Sequence, residues 1–110
     1  MQPAPPPPPP LPVTRYDGRY TGTATRTSRA SAMCTRRTLP ATLTVRNGQA
    51  SLTAGSGRAA PLEGTVAADG TLALASANGT GRGRIAGNRF TGEVRGGDCA
   101  WRLTLAKARR

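Results

Sequence analysis

Hydrophobic and polar residues alternate along most of this chain with a period of two, and the pattern is clearest over residues 88–107. Arg89-Phe90-Thr91-Gly92-Glu93-Val94-Arg95 and Cys99-Ala100-Trp101-Arg102-Leu103-Thr104-Leu105 each place every second residue on one face, with Gly96-Gly97-Asp98 between them. Alternation of this kind predicts two half-buried antiparallel strands joined by a tight turn. Trp101, Leu103 and Leu105 share the apolar face of the second strand with Cys99.

The same pattern recurs upstream. A first strand over 16–25 sets Tyr16, Gly18, Tyr20, Gly22 and Ala24 on one face. Residues 38–46 align Leu39, Ala41, Leu43 and Val45, and residues 49–54 align Ala50, Leu52 and Ala54. Leu62, Gly64 and Val66 follow over 62–67, Leu72 and Leu74 over 71–77, and Ile85 in a short strand over 82–86. Asn47-Gly48 and Asp69-Gly70 are two-residue hairpin signals, because both positions accept positive φ. Residues 78–81 and 87–88 read as further turns. Residues 26–37, polar and irregular, read as a long loop or bent strand. No stretch shows helical spacing.

The expected fold is therefore all-β: about eight antiparallel strands in an up-and-down meander. A meander with one apolar face must close or curl to bury it, which gives a barrel or a strongly curved sheet. A two-sheet sandwich is the alternative.

Residues 1–14 stand apart as a proline-rich tail, leaving 15–110 as a single domain. Six consecutive prolines at 5–10 have no N–H to give a sheet and favour polyproline II. They suit a semi-rigid spacer with a reach of roughly 30 Å. A ligand for an SH3-like or WW-like groove would need a positioned neighbour such as Arg, which is missing. No apolar segment precedes the prolines, so no signal peptide is visible, and no run approaches the length of a membrane span.

Composition sharpens this picture in two places. Aromatic residues make up only 4% of the chain, so the core is thin and built mostly from Leu, Val and Ala. A small core gains from a cross-link. Bridging Cys34 and Cys99 would close a loop of roughly 65 residues, worth about 4 kcal/mol, and would imply an oxidising compartment. Two buried free thiols in a reducing cytosol are the alternative. Two cysteines without any histidine are too few for a zinc site, and neither a metal nor a cofactor is expected.

Charge is the second. Sixteen Lys and Arg against five Asp and Glu leave a net +11. Such a balance is compatible with anionic partners such as nucleic acid, lipopolysaccharide or polysaccharide, while a solvated strand surface is the plainer and preferred reading. Arg82, Arg84, Arg95 and Arg102 fall at outward positions of the last three strands, which are neighbours in a meander. They form a candidate anion-binding stripe. Phe90 and Trp101 share the core parity and offer no stacking platform, while Tyr16 and Tyr20 are left for the rim.

Catalysis finds little support. Histidine, the commonest general base, is absent. Asp69 and Asp98 sit in turns, Asp17 is placed on the outer face of the first strand, and Glu63 and Glu93 point outward beside Arg residues. No two carboxylates are set to converge in a cleft, so no catalytic residue is assigned. Gly81-Arg82-Gly83-Arg84-Ile85-Ala86 matches a dinucleotide-binding pattern only in form, since no helix follows it. Asn78-Gly79-Thr80 is a formal glycosylation sequon that reads more simply as a turn.

Over 16–107 the chain resembles small exported β-domains that are widespread in α-proteobacteria and have no established activity. The likeness lies in Tyr-Asp-Gly-Arg-Tyr-Thr-Gly at 16–22, Val-Arg-Asn-Gly-Gln at 45–49, Leu-Glu-Gly-Thr-Val at 62–66 and Asp-Gly-Thr-Leu at 69–72. It continues in Arg-Phe-Thr-Gly-Glu-Val at 89–94, Cys-Ala-Trp-Arg-Leu-Thr-Leu at 99–105 and Lys107. The resemblance implies a periplasmic or secreted location, often behind a signal sequence or a proline-rich tether. A weaker analogy is to periplasmic β-barrel inhibitors of secreted metalloproteases, whose N-terminal segment enters the protease cleft. The expectation is a monomeric, exported, non-enzymatic barrel module, its partner unknown or a component of the cell envelope. The alternatives are a binder of anionic polymers through the four arginines and a periplasmic protease inhibitor.

Overall fold

The computed structural model describes residues 3–5, 14–29, 34–54, 61–77, 79–96 and 99–108. Eight strands follow one another: β1 (Gly18–Arg26), β2 (Thr38–Arg46), β3 (Gln49–Ala54), β4 (Leu62–Val66), β5 (Thr71–Ser76), β6 (Gly79–Ala86), β7 (Arg89–Gly96) and β8 (Cys99–Lys107). Each pairs antiparallel with the next, and β8 pairs back onto β1 from Tyr20↔Lys107 to Arg26↔Trp101. The sheet is a closed up-and-down barrel, and the sandwich alternative is set aside. Closure satisfies the backbone groups that a free edge strand would leave open.

The period-two pattern does what it predicts. Tyr20, Leu43, Leu52, Ile85, Phe90, Leu103 and Leu105 are all buried inside the barrel, at no more than 1% exposure. Leu39, Leu62, Val94 and Trp101 are partly buried and pack against them. Outward positions carry mainly Thr and Arg, with Ala on β5, β6 and β8. Thr21, Thr42 and Thr53, for example, lie side by side across β1, β2 and β3, where β-branched side chains suit a pleated surface. This is the reverse of a membrane-spanning barrel, whose outer band is apolar. No helix among the described residues is long and apolar enough to cross a membrane.

Phe90 is seated by two glycines. A Cβ added at Gly83 would stand 2.6 Å from its ring, and one at Gly92 2.7 Å from it. The outer edge of the ring therefore lies against bare backbone, a close approach that only glycine permits. The hairpin signal at Asn47-Gly48 is also met, with φ of 52° and 77° at the two positions.

Four local readings change. β6 begins at Gly79 rather than Arg82, because Gly79, Thr80 and Gly81 pair with Ser76, Ala75 and Leu74 of β5. β1 spans Gly18–Arg26 rather than 16–25, so Tyr16 precedes it and Arg26 occupies an inward position. Tyr20 is fully buried and not a rim residue. Asp17 precedes β1 and is half-buried at a barrel end rather than lying outside. Asn78 and Asp98 lie outside the described residues, as does the proline-rich tail except for residues 3–5 and 14.

Candidate functional site

A barrel can place a site in its interior, at its ends or on its outer wall. The interior is filled by the core residues named above. What it leaves is an apolar hollow of about 30 Å³ bounded by Leu52, Leu62, Val94, Trp101 and Leu103 near the end of the barrel that carries Cys99. That volume is comparable with the space of one water molecule in the liquid, about 30 Å³. Small-molecule sites are roughly ten times larger or more.

Both ends are occupied by the chain's own hydrogen bonds. At the end holding the β2–β3 and β4–β5 turns, the segment before β1 is clasped to both. The Tyr16 hydroxyl donates to the Ala68 carbonyl at 2.9 Å, and the Tyr20 hydroxyl donates to the Tyr16 carbonyl at 2.7 Å. Asp17 accepts from the backbone N–H groups of Asn47 at 2.8 Å and Gly48 at 3.2 Å. Burial raises the ionisation point of the Tyr20 hydroxyl above its usual range, with the Asp17 charge and Tyr16 adding to the effect. Asp17→Ala removes the acceptor for both turn N–H groups and is expected to cost about 1–2 kcal/mol. Chemical denaturation of the variant against the wild type measures this.

At the opposite end a disulfide joins Cys34 to Cys99. Arg26, entering from β1, holds the neighbouring loop by its backbone. Its Nη1 donates to the carbonyls of Cys34 at 2.7 Å and Arg36 at 3.2 Å, and its Nε to that of Ser28 at 3.1 Å. Ser28 Oγ in turn accepts from the Ala100 N–H at 3.1 Å. Arg26 is thus a structural cation, and the signal for it was the inward parity of Tyr20, Gly22 and Ala24 carried one step further.

The described carboxylates do not converge. Asp17 is used by the β2–β3 turn. Asp69 accepts from the hydroxyl and N–H of Thr71, bonds that hold its carboxyl below the usual range. Glu63 on β4 and Glu93 on β7 are both exposed, with two strands between them on the outer wall. Among the described residues no group of three or more His, Cys, Asp or Glu could hold a metal ion.

The outer wall is uneven in charge. β3, β4 and β5 contain no Lys or Arg, and Glu63 is their one charged residue. β6, β7 and β8 present Arg82, Arg84, Arg89, Arg95 and Arg102, all exposed. The register brings the four arginines of the predicted stripe together. Arg82 is opposite Glu93, Glu93 is opposite Arg102, Arg84 is opposite Thr91, and Arg95 is opposite Thr80 and Ala100. Directly opposite side chains start about 5 Å apart and diagonal neighbours about 7–8 Å apart. Arg95 is therefore diagonal to both Arg82 and Arg102. Arg89 is diagonal to Arg84, a neighbour that the sequence reading left out.

Beside this band runs a shallow trough. Its floor is β5, whose outward residues Thr71, Ala73 and Ala75 are short, while Arg82 and Arg95 rise on one side. Two adjoining hollows of about 500 Å³ and about 550 Å³ share Ala73 and Arg82. The trough follows from side-chain length alone, with methyl groups lying next to guanidinium groups. Comparison of the chain with protein-family models, curated proteins and solved structures finds no match.

Proposed function

We propose that this protein is a non-enzymatic barrel module of an oxidising compartment, periplasmic or extracellular, that binds anionic polymers along the outer face of β6–β8. The observation that carries the reading is the segregation of charge. Five exposed arginines share three adjacent strands, next to a trough, while the three strands before them hold no cation. A one-sided basic face attracts polyanions over a distance and gains affinity by releasing their counterions. The Cys34–Cys99 disulfide supports the compartment, because such bonds persist where thiols are not kept reduced. The filled interior and the scatter of the described carboxylates support a binding role over a catalytic one.

Recognition through this face is by charge rather than by base stacking. Tyr20 and Phe90 are buried, and Tyr16 and Trp101 pack against the core. Single-strand binders instead expose aromatic side chains as platforms. Replacing Arg82, Arg84, Arg95 and Arg102 together by Ser leaves the core untouched. The variant is expected to elute from immobilised heparin and DNA at much lower salt, with the slope of log affinity against log salt shallower by roughly three to four. Serine at Arg19 and Arg46, on β1 and β2, serves as the control and should change little. Equal retention of the quadruple variant and the wild type would remove this face from consideration.

A further inference from the structure

The β2–β3 turn carries a reactive pair. In Asn47-Gly48 the main-chain nitrogen of the second residue can approach the side-chain amide of the first without obstruction, because Gly48 has no Cβ. Asn47 is exposed, while Gly48 is buried. Gly48 is also held from both sides. Its N–H donates to Asp17 Oδ1 at 3.2 Å, and its carbonyl accepts from the Val66 N–H at 2.8 Å. Asp17 Oδ2 accepts from the Asn47 N–H at 2.8 Å, and the two turn residues stand at φ of 52° and 77°. We infer that Asn47 is a latent deamidation site held closed by Asp17, and that its conversion opens the clasp between this turn and the segment before β1.

The chemistry needs only water and base. A hydroxide ion removes the Gly48 N–H proton, the nitrogen attacks Cγ of Asn47, and the C–N bond of the side-chain amide breaks. Ammonia leaves with a proton from water, and a cyclic imide remains. Water then opens the imide at either carbonyl, giving Asp or isoaspartate at 47 with no change of oxidation state. Asp17 opposes the first step. Its carboxylate stabilises the N–H from which it accepts, and it faces any nitrogen anion formed there with like charge. After conversion the clasp loses its fit. Asp at 47 sets a second carboxylate beside Asp17. Isoaspartate inserts a methylene into the main chain between the two N–H groups that one carboxylate now binds.

The test ages the protein in mildly alkaline buffer and follows Asn47 by peptide mapping with mass spectrometry, which resolves it from the second Asn-Gly pair at Asn78. Wild type should convert Asn47 at least about tenfold more slowly than the chain unfolded in urea, and Asp17→Ala should recover most of that factor. Phe90→Leu loosens the core without touching the clasp, controls for general destabilisation, and should leave Asn47 near the wild-type rate. Equal acceleration in Phe90→Leu and Asp17→Ala, or an unchanged rate in Asp17→Ala, would overturn the guarding role of Asp17. Asn47→Asp reports the consequence. Amide hydrogen exchange at Gly48 should quicken about tenfold in that variant, whereas protection equal to wild type would overturn the opening of the clasp.

Discussion

Replacing Cys34 and Cys99 together by Ala is expected to lower stability by about 4 kcal/mol, the value for opening a cross-link of this span in the unfolded chain. The two residues are 65 apart in sequence, so the bond restrains most of the domain. The loss falls on a barrel with a thin core, whose total stability is expected to be on the order of 5–15 kcal/mol. It also removes the covalent anchor of the segment that Arg26 binds through the Cys34 and Arg36 carbonyls. In urea the midpoint should fall by about 1.3–4 M, since small domains have slopes of about 1–3 kcal/mol per molar. A shift corresponding to less than about 1 kcal/mol would mean that Arg26 and the β1–β8 ladder hold this end without the bond.

Phe90→Ala is the second large effect, with an expected loss of about 4 kcal/mol. Phe90 is 1% exposed and stands opposite Ile85 on one side and Leu105 on the other. Its ring also covers the bare backbone of Gly83 and Gly92. Those glycines bring no side chains of their own, and the surrounding strands are fixed by the closed ladder. Little can collapse into the space, which places the loss high in the range for aromatic truncation. Phe90→Leu should cost markedly less, about 1–2 kcal/mol, because part of the volume is kept. Equal losses for the two variants, measured by thermal or urea unfolding, would show that the aromatic ring on the glycines is not what matters.

How much of this was legible in the sequence differs from feature to feature. Strand faces were legible because alternation forces them: Leu39, Ala41, Leu43 and Val45 can share one side only. The Asn47-Gly48 turn was legible because so few residue pairs accept two positive φ angles. The ends were not. Asp17 reads as an ordinary outward acid until the β1–β2 pairing brings the β2–β3 turn, 30 residues away, onto its carboxylate. Arg26 sits in a polar run whose composition hides that its side chain continues the inward face. The start of β6 was obscured by glycines at 79 and 81, which read as turn residues when no neighbouring strand is in view.

The four arginines of the stripe were found by parity, since adjacent meander strands put equal parities on one wall. What parity could not give was register. Only the pairing of β6, β7 and β8 shows that Glu93 stands between Arg82 and Arg102 and that Arg89 extends the band. The trough was equally hidden, because it depends on Ala73 and Ala75 of β5 lying beside β6.

The most direct test of the basic face is a titration of isotope-labelled protein with linear polyphosphate, followed by amide and guanidinium chemical shifts. The account predicts changes concentrated at Arg82, Arg84, Glu93, Arg95 and Arg102 that fade as salt is raised, with Thr21, Thr42 and Thr53 silent. Changes centred on β1–β3 or on the hollow beside Trp101, or none at low salt, would contradict it.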